Sequence, residues 1–376
     1  MADRFAVATG APDHIKAVAL RAAEQLDGDV SAYLVLAPDV ATLESGVDLD
    51  APAICTTTAG QFTHRGRCDD EVVVVALGDV MACGELVSDF HEPSTAWSAE
   101  STRLEARREG RSNSLTVAMT DGLSTSGEHV VAALRRHTKA HHPLVGGAAG
   151  DFGRFEATRV ALNQESTKTG AAALHLFDKH PWGIGLGHGL VSATKPMLVT
   201  KAEGIRLYEI ENRPALEAYE DFARSRGVTL TPKNRGEYMI RHEIGIMLFG
   251  ELRQARAPLL VHSDGSITCA APVPVGSNVC ILDGEAEGMV RAARQAAVDA
   301  KAGLQGRRAA GVIVFDCVCR GMLLDTAFDR EIAAVRSVFE DAPLAGYLTY
   351  GEIARFGGRI EGWHNTTAVV VAVPEA

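Results

Sequence analysis

PLAGYLTYGEI, residues 343–353, decides how the chain is put together, because two earlier stretches follow the same plan. Aligned on their prolines, PAICTTTAGQF (52–62) and PLVGGAAGDF (143–152) also run through apolar and small residues to a glycine. Gln61, Asp151 or Glu352 follows, and then Phe or Ile; the middle copy is one residue shorter. The order around the copies is also alike: a strand, a helix, the segment, a polar turn and a closing strand. In the last copy these are AAGVIVFDCV (309–318), REIAAVRSVF (330–339) and TTAVVVAV (366–373). Repetition of this kind fixes architecture before any single element does. The expected fold is α+β (α/β), with two domains, 1–227 and 228–376, of mixed β-sheets flanked by helices and built from repeated strand-helix-strand-turn-strand units.

The composition supports a folded body. The chain has 376 residues, 46% of them hydrophobic, enough for a sizeable core. Its formal net charge is −11 with Lys and Arg scattered among the acids, which argues against a phosphate-tracking surface and hence against nucleic acid as a partner. MADRFAVATGAPDHIKAVALRAAEQL at the start has no apolar core of signal-peptide length. The longest apolar run, VVVVAL (72–77), is far short of the roughly 20 residues that cross a bilayer as a helix. No membrane insertion and a cytoplasmic location are expected. Cys55, Cys68, Cys83, Cys269, Cys280, Cys317 and Cys319 are odd in number and dispersed among apolar or small residues, so reduced thiols are expected.

Local patterns place the elements. Pro12 and Asp13 start a helix carrying Ile15, Val18, Ala19, Ala22 and Leu26 at helical spacing. AYLVLAP (32–38), APAICTTTAGQF (51–62) and EVVVVALG (71–78) read as buried strands. Residues 180–210 alternate like a hairpin. NRPALEAYEDFARSRG then predicts a helix capped by Asn212, with Pro214 in its first turn, Leu216, Tyr219, Phe222 and Ala223 facing inward, and Gly227 at its stop. The polar stretch 228–238 marks the domain boundary.

Most motif readings fail on context. GIGLGHG (183–189) has the glycine spacing of a dinucleotide loop, but Pro196 and strand-like residues follow where a helix must start. In a strand, its glycines leave one face open to close backbone approach while Ile184, Leu186 and His188 occupy the other. RHEIGIM (241–247) lacks a zinc helix's second His. Ser124, Thr125 and Ser126 lack nucleophile-elbow spacing and read as a helix cap. Cys317 and Cys319 share a strand face, as a soft-metal pair or as core thiols. His141 and His142 are expected to be exposed. His188 and His364, on strands or strand edges, are candidates for coordinating a metal or haem iron, for hydrogen-bonding a ligand, or for a structural role.

GYLTYGEIA followed by WHNTT resembles the closing signature of the FIST domain family, and CTTTAGQF and VGGAAGDF resemble its earlier segments. The stretch 183–219 is similar to the part where its glycine-rich strand and its L-x-G-x-P-A-L segment follow in order. Two positions depart from the pattern: Leu190 stands where Trp is frequent, and Gln61 where Glu is usual. The resemblance implies a FIST-N plus FIST-C sensory module of bacterial signalling that binds a small ligand. One stand-alone branch binds haem through a histidine, senses nitric oxide and controls a partner histidine kinase or cyclic-di-GMP enzyme. The expected ligand-binding residues are Thr58, Gln61, Gly147, Asp151, His188, Thr349, Tyr350, Glu352, Trp363, His364 and Asn365, gathered at a cleft. His188 or His364 would be the axial ligand if haem is the cofactor. The alternative is a hydrolase- or lyase-like enzyme using Glu352 and His364 as an acid–base pair.

Overall fold

The structure, a computed structural model, describes residues 3–87, 100–124, 127–137, 142–356 and 362–376. Thr125, Ser126 and His141 lie outside the described residues. The architecture is α+β: mixed sheets with helices packed against them.

Three of the sheets are made by one plan used three times. The first repeat has strands Phe5–Gly10, Val30–Ala37, Ala53–Thr57 and Val72–Gly78; the second has Met81–Val87, Asn113–Thr120, Leu144–Ala148 and Ala171–Asp178; the third has Gly183–Gly187, Ala309–Cys317, Leu344–Thr349 and Ala368–Pro374. In each, the second strand runs parallel to the third and antiparallel to the last, and the last pairs antiparallel with the first. The proline-led segments quoted above are the third strands and the turns that leave them.

After that turn the chain exits its own sheet. Gln61–Thr63 and Gly66–Arg67 form a hairpin that pairs with Leu344–Thr349 of the third repeat. Val160–Leu162 and Glu165–Thr167 pair with Ala53–Thr57 of the first. Glu352–Arg355 and Gly362–His364 pair with Leu144–Ala148 of the second. Each repeat therefore lends a hairpin to a neighbour, and the loan closes a ring. Gly60, at φ 136°, takes a backbone conformation that side chains strongly disfavour at the first of these exits.

The strands bury both faces and so read as near-continuous apolar runs. Their inner faces meet in one shared core, with Leu34 and Val75, Val117 and Leu174, Phe315 and Val371 drawn from the three sheets. On the outside, Val18, Ala19 and Ala22 of the helix Ile15–Ala23 cover Val35 and Val74. The helix Ala286–Gly303 lies on Gly183–Gly187 so closely that a Cβ on Gly183 or Gly185 would sit 1.8 or 1.9 Å from the carbonyl oxygens of Ala300 and Ala296. Close backbone approach is the role the glycines of GIGLGHG play.

The fourth sheet is inserted between those two elements. Its strands run from Leu190–Ser192 to Asn278–Gly284, with helices Ala215–Ser225 and Arg235–Arg241. Its apolar cluster joins Val199, Tyr219 and Phe222 to Met239, Ile244 and Ile281, so residue 228 lies inside it. The hairpin expected over 180–210 forms only at its end, between Met197–Glu203 and Arg206–Ile210, because Gly183–Gly187 pairs with Ala368–Pro374 instead. Asn212 adopts φ 60° in the turn before the helix Ala215–Ser225, which begins after Pro214 and has no side-chain cap. Inward-facing Tyr219, Phe222 and Ala223 are buried as expected.

All seven cysteines are free thiols. His142, expected at the surface, is buried: Thr116 Oγ1 lies 2.6 Å from its Nε2 and Ser114 Oγ 3.0 Å from its Nδ1, since the strand entry at Pro143 tucks against Asn113–Thr120. Among the described residues no helix is long and apolar enough to cross a membrane.

Candidate functional site

The repeat turns lock themselves before they offer anything to a ligand. In the first repeat the Thr58 hydroxyl donates to Gln61 Oε1, and Gln61 Nε2 donates to the backbone carbonyls of Asp69 (3.1 Å) and Glu71. In the third, Thr349 Oγ1 donates to Glu352 Oε1 at 2.6 Å, and the Thr367 N–H to Glu352 Oε2 at 3.1 Å. All four side chains are fully buried. Burial pushes the Glu352 carboxyl well above its ordinary range, with Cys317 adding to the rise and the Thr349 and Thr367 hydrogen bonds opposing it. Glu352 is thus a neutral acid standing where the first repeat has an amide. Gly147 pairs across the strand from Glu352, and its carbonyl accepts the Tyr347 hydroxyl at 3.1 Å.

Asp151 departs from this pattern. Its carboxylate accepts the N–H groups of Phe155 (2.9 Å), Glu156 (2.7 Å) and Ala157 (2.9 Å) and the Tyr350 hydroxyl. Burial opposes its ionisation, but these donors outweigh burial and hold the carboxyl below its usual range. The loop so fixed lays Phe155 over Tyr350, ring centroids 4.5 Å apart at 19°.

That stacked pair borders a cavity of about 440 Å³ between the repeats and the inserted sheet. Gly122, Leu123, Ser124, Gly127 and Glu128 of the second repeat form one side. Cys317, Val318, Cys319, Met322, Trp363 and Asn365 of the third form another, and the inserted sheet supplies Ile205, Ala257, Pro258, Cys269 and Ala270. The Trp363 indole is wedged so tightly that a Cβ on Gly127 or Gly351 would lie 2.2 or 2.1 Å from it. Among the predicted site residues, Tyr350, Trp363 and Asn365 line this cavity.

Three buried charged residues that the sequence reading passed over lie around the cavity, and two of them, Arg256 and Glu243, bond from the inserted sheet to the repeats. Arg256 of the inserted sheet, almost wholly buried, donates to Glu128 Oε1 (2.9 Å), to the Trp363 carbonyl (3.3 Å) and to the Pro272 carbonyl (3.1 Å). Arg320 donates to Glu331 Oε2 at 2.6 Å and lies 3.1 Å from Asp316 Oδ1, while its other protons reach the carbonyls of His188 (2.7 Å) and Met289 (2.9 Å). Glu243 accepts the Thr366 hydroxyl; burial pushes its carboxyl up to about 7, against Thr366, Arg256 and Arg320. The available signal was an Asp316–Arg320 pair at i,i+4 spacing inside an apolar run, where a charge is retained only if paired.

His188 and His364 meet elsewhere, at a second cavity of about 260 Å³ with Arg253, Gln254, Gln295 and Asp299. The Leu190 N–H donates to His188 Nδ1 at 3.0 Å, and burial, with Arg320 nearby, lowers that imidazole to about 4, so it is neutral. Glu352 pairs in register with His364 but lines neither cavity. A haem needs an axial histidine and a wide apolar slot together. Here the histidines border the smaller cavity, beside the polar side chains Arg253, Gln254, Gln295 and Asp299, and among the described residues no histidine lines the larger, apolar one, so these residues do not fit the group. Among the described residues there is also no cluster of three His, Cys, Asp or Glu side chains that could hold a metal ion; Cys317 and Cys319 do not share a strand face, because the strand Ala309–Cys317 ends at Cys317 and Cys319 lies in the helix Val318–Leu324.

The chain matches the FIST N domain over residues 30–213 and the FIST C domain over residues 215–355. It is similar to an uncharacterized protein of Mycobacterium tuberculosis (strain ATCC 25618 / H37Rv), 23% identical over 378 residues that cover 95% of this chain and 96% of the relative. An uncharacterized protein of Mycobacterium bovis is 26% identical over 233 residues, 60% of this chain, and the match spans 58% of that relative's length. With both domains matched in order across the repeated body and the inserted sheet, the chain belongs to the FIST family, whose domains are sensory, small-ligand-binding domains of signal transduction.

Proposed function

We propose that the chain is a sensory module whose small ligand occupies the cavity of about 440 Å³ at the junction of the repeats and the inserted sheet. The observation that carries this reading is that the cavity's walls come from both bodies at once. A ligand there bears on the seam that Arg256 and Glu243 bridge, so its binding energy favours one placement of the inserted sheet over another. A partner that recognises that placement reads the signal; the resemblance suggests a histidine kinase or a cyclic-di-GMP enzyme as that partner, acting in the cytoplasm.

The test is a screen of small apolar fragments by ligand-observed NMR against the wild type and against Ala270→Phe, which places a ring in the cavity. Binding that the variant abolishes supports the proposal. Binding that the variant leaves intact places the ligand elsewhere and overturns it.

A further inference from the structure

The chemistry of the cavity wall narrows the ligand, on the reading that this cavity is the ligand site. Asn365 lines it and is itself 1% exposed. Its carboxamide oxygen is buried with no hydrogen-bond partner. A buried amide oxygen left bare costs free energy that a guest recovers by donating to it. The turn geometry explains why the side chain stays bare. The Asn365 carbonyl already accepts the Thr367 hydroxyl at 3.0 Å, and the neighbouring Thr366 hydroxyl is committed to Glu243. Neither neighbouring hydroxyl has a proton free to donate to the amide oxygen.

The rest of the wall says what surrounds that edge. Trp363 and the Phe155–Tyr350 stack are flat aromatic surfaces, and Ala257, Ala270 and Val318 add aliphatic ones. Among the described residues the one charged side chain that lines the cavity, Glu128, is paired with Arg256 at 2.9 Å. A carboxylate or phosphate entering would therefore lose its hydration with no spare cation among the described lining residues to meet it.

We infer that the ligand is an uncharged, flat, largely apolar molecule carrying an N–H donor, as in a primary amide or a lactam, whose N–H pairs with the bare Asn365 carboxamide oxygen.

Isothermal titration of the full chain with benzamide, N,N-dimethylbenzamide, benzoate and toluene tests this. Benzamide should bind, and dimethylation, which removes the donor, should weaken it on the order of tenfold, the worth of one hydrogen bond in an apolar site. Benzoate should bind more weakly still. Asn365→Leu should abolish the preference for benzamide over its dimethyl analogue while toluene binding persists. The comparison of the two amides on the wild type stands even if that variant does not fold. Benzoate binding best, or a benzamide preference that survives Asn365→Leu, overturns the ligand class and leaves the cavity as the site. No binding of any probe overturns the ligand class and the cavity reading together.

Discussion

Glu352→Gln should make the protein more stable as the pH rises. Glu352 is fully buried, its carboxyl is held neutral by burial, and its counterpart in the first repeat is the amide of Gln61. In the unfolded chain a glutamic acid gives up its proton above about 4.3. The folded state keeps the proton well above that point, so folding takes up a proton and stability falls as pH rises through this window. The loss is about 1.4 kcal/mol per pH unit for as long as the carboxyl stays neutral in the fold. Glutamine carries no such proton. Its oxygen can accept the Thr367 N–H and its nitrogen can donate to Thr349 Oγ1, the two partners Glu352 now has. Urea unfolding of both proteins at pH 5, 6 and 7, followed by circular dichroism, should show the variant gaining on the wild type by about that slope. Parallel stability curves, or a variant that loses ground at pH 7, would refute a neutral Glu352.

Two further outcomes follow from packing and from buried imidazoles. Gly185→Ala should cost about 1–3 kcal/mol or more in thermal or chemical unfolding, because its Cβ would meet the Ala296 carbonyl oxygen at 1.9 Å and displace the long helix. His142 and His175, both near Thr116 and both lowered to about 4 chiefly by burial, act on stability with the opposite sign to Glu352. The unfolded chain binds their protons below about 6.5, so stability is present above that pH and drains as pH falls towards 4, by about 1.4 kcal/mol per pH unit for each. The His175→Gln variant should lose part of that acid slope in the same unfolding series.

The repeat was legible in sequence because a turn leaving a buried strand admits few solutions: Pro at the entry, small residues along the strand, Gly at the exit, then a side chain that bonds back to the turn. Gln61 and Glu352 keep that last bond, whereas Asp151 spends its carboxylate on a longer loop, so the middle copy scans as the weakest. The exchange of hairpins between sheets left no local trace, since strand pairing is a property of distant partners. Nor did the insertion, because the helix that completes Gly183–Gly187 comes after the entire fourth sheet. At the site, the aromatic and amide residues near the C-terminus carried the clearest signal, and Tyr350, Trp363 and Asn365 do share a cavity. His188 and His364 drew attention by their place on strands or strand edges; their cavity is a different one. Arg256 was overlooked because a single arginine says nothing of the partners that folding will bring to it, whereas Arg320 had a legible partner in Asp316 four residues before it.

The circular lending of hairpins also limits how this architecture can grow or shrink. An open array of repeats can gain or shed a copy at its end, because each unit leans only on the next. Here every sheet is finished by another unit's arm, and the last arm returns to the second sheet while the first reaches the third. Deleting one unit leaves one sheet without its arm and one arm without a sheet, and a fourth unit has nowhere to dock, so copy number is locked at three and novelty is confined to insertions such as the one that built the fourth sheet.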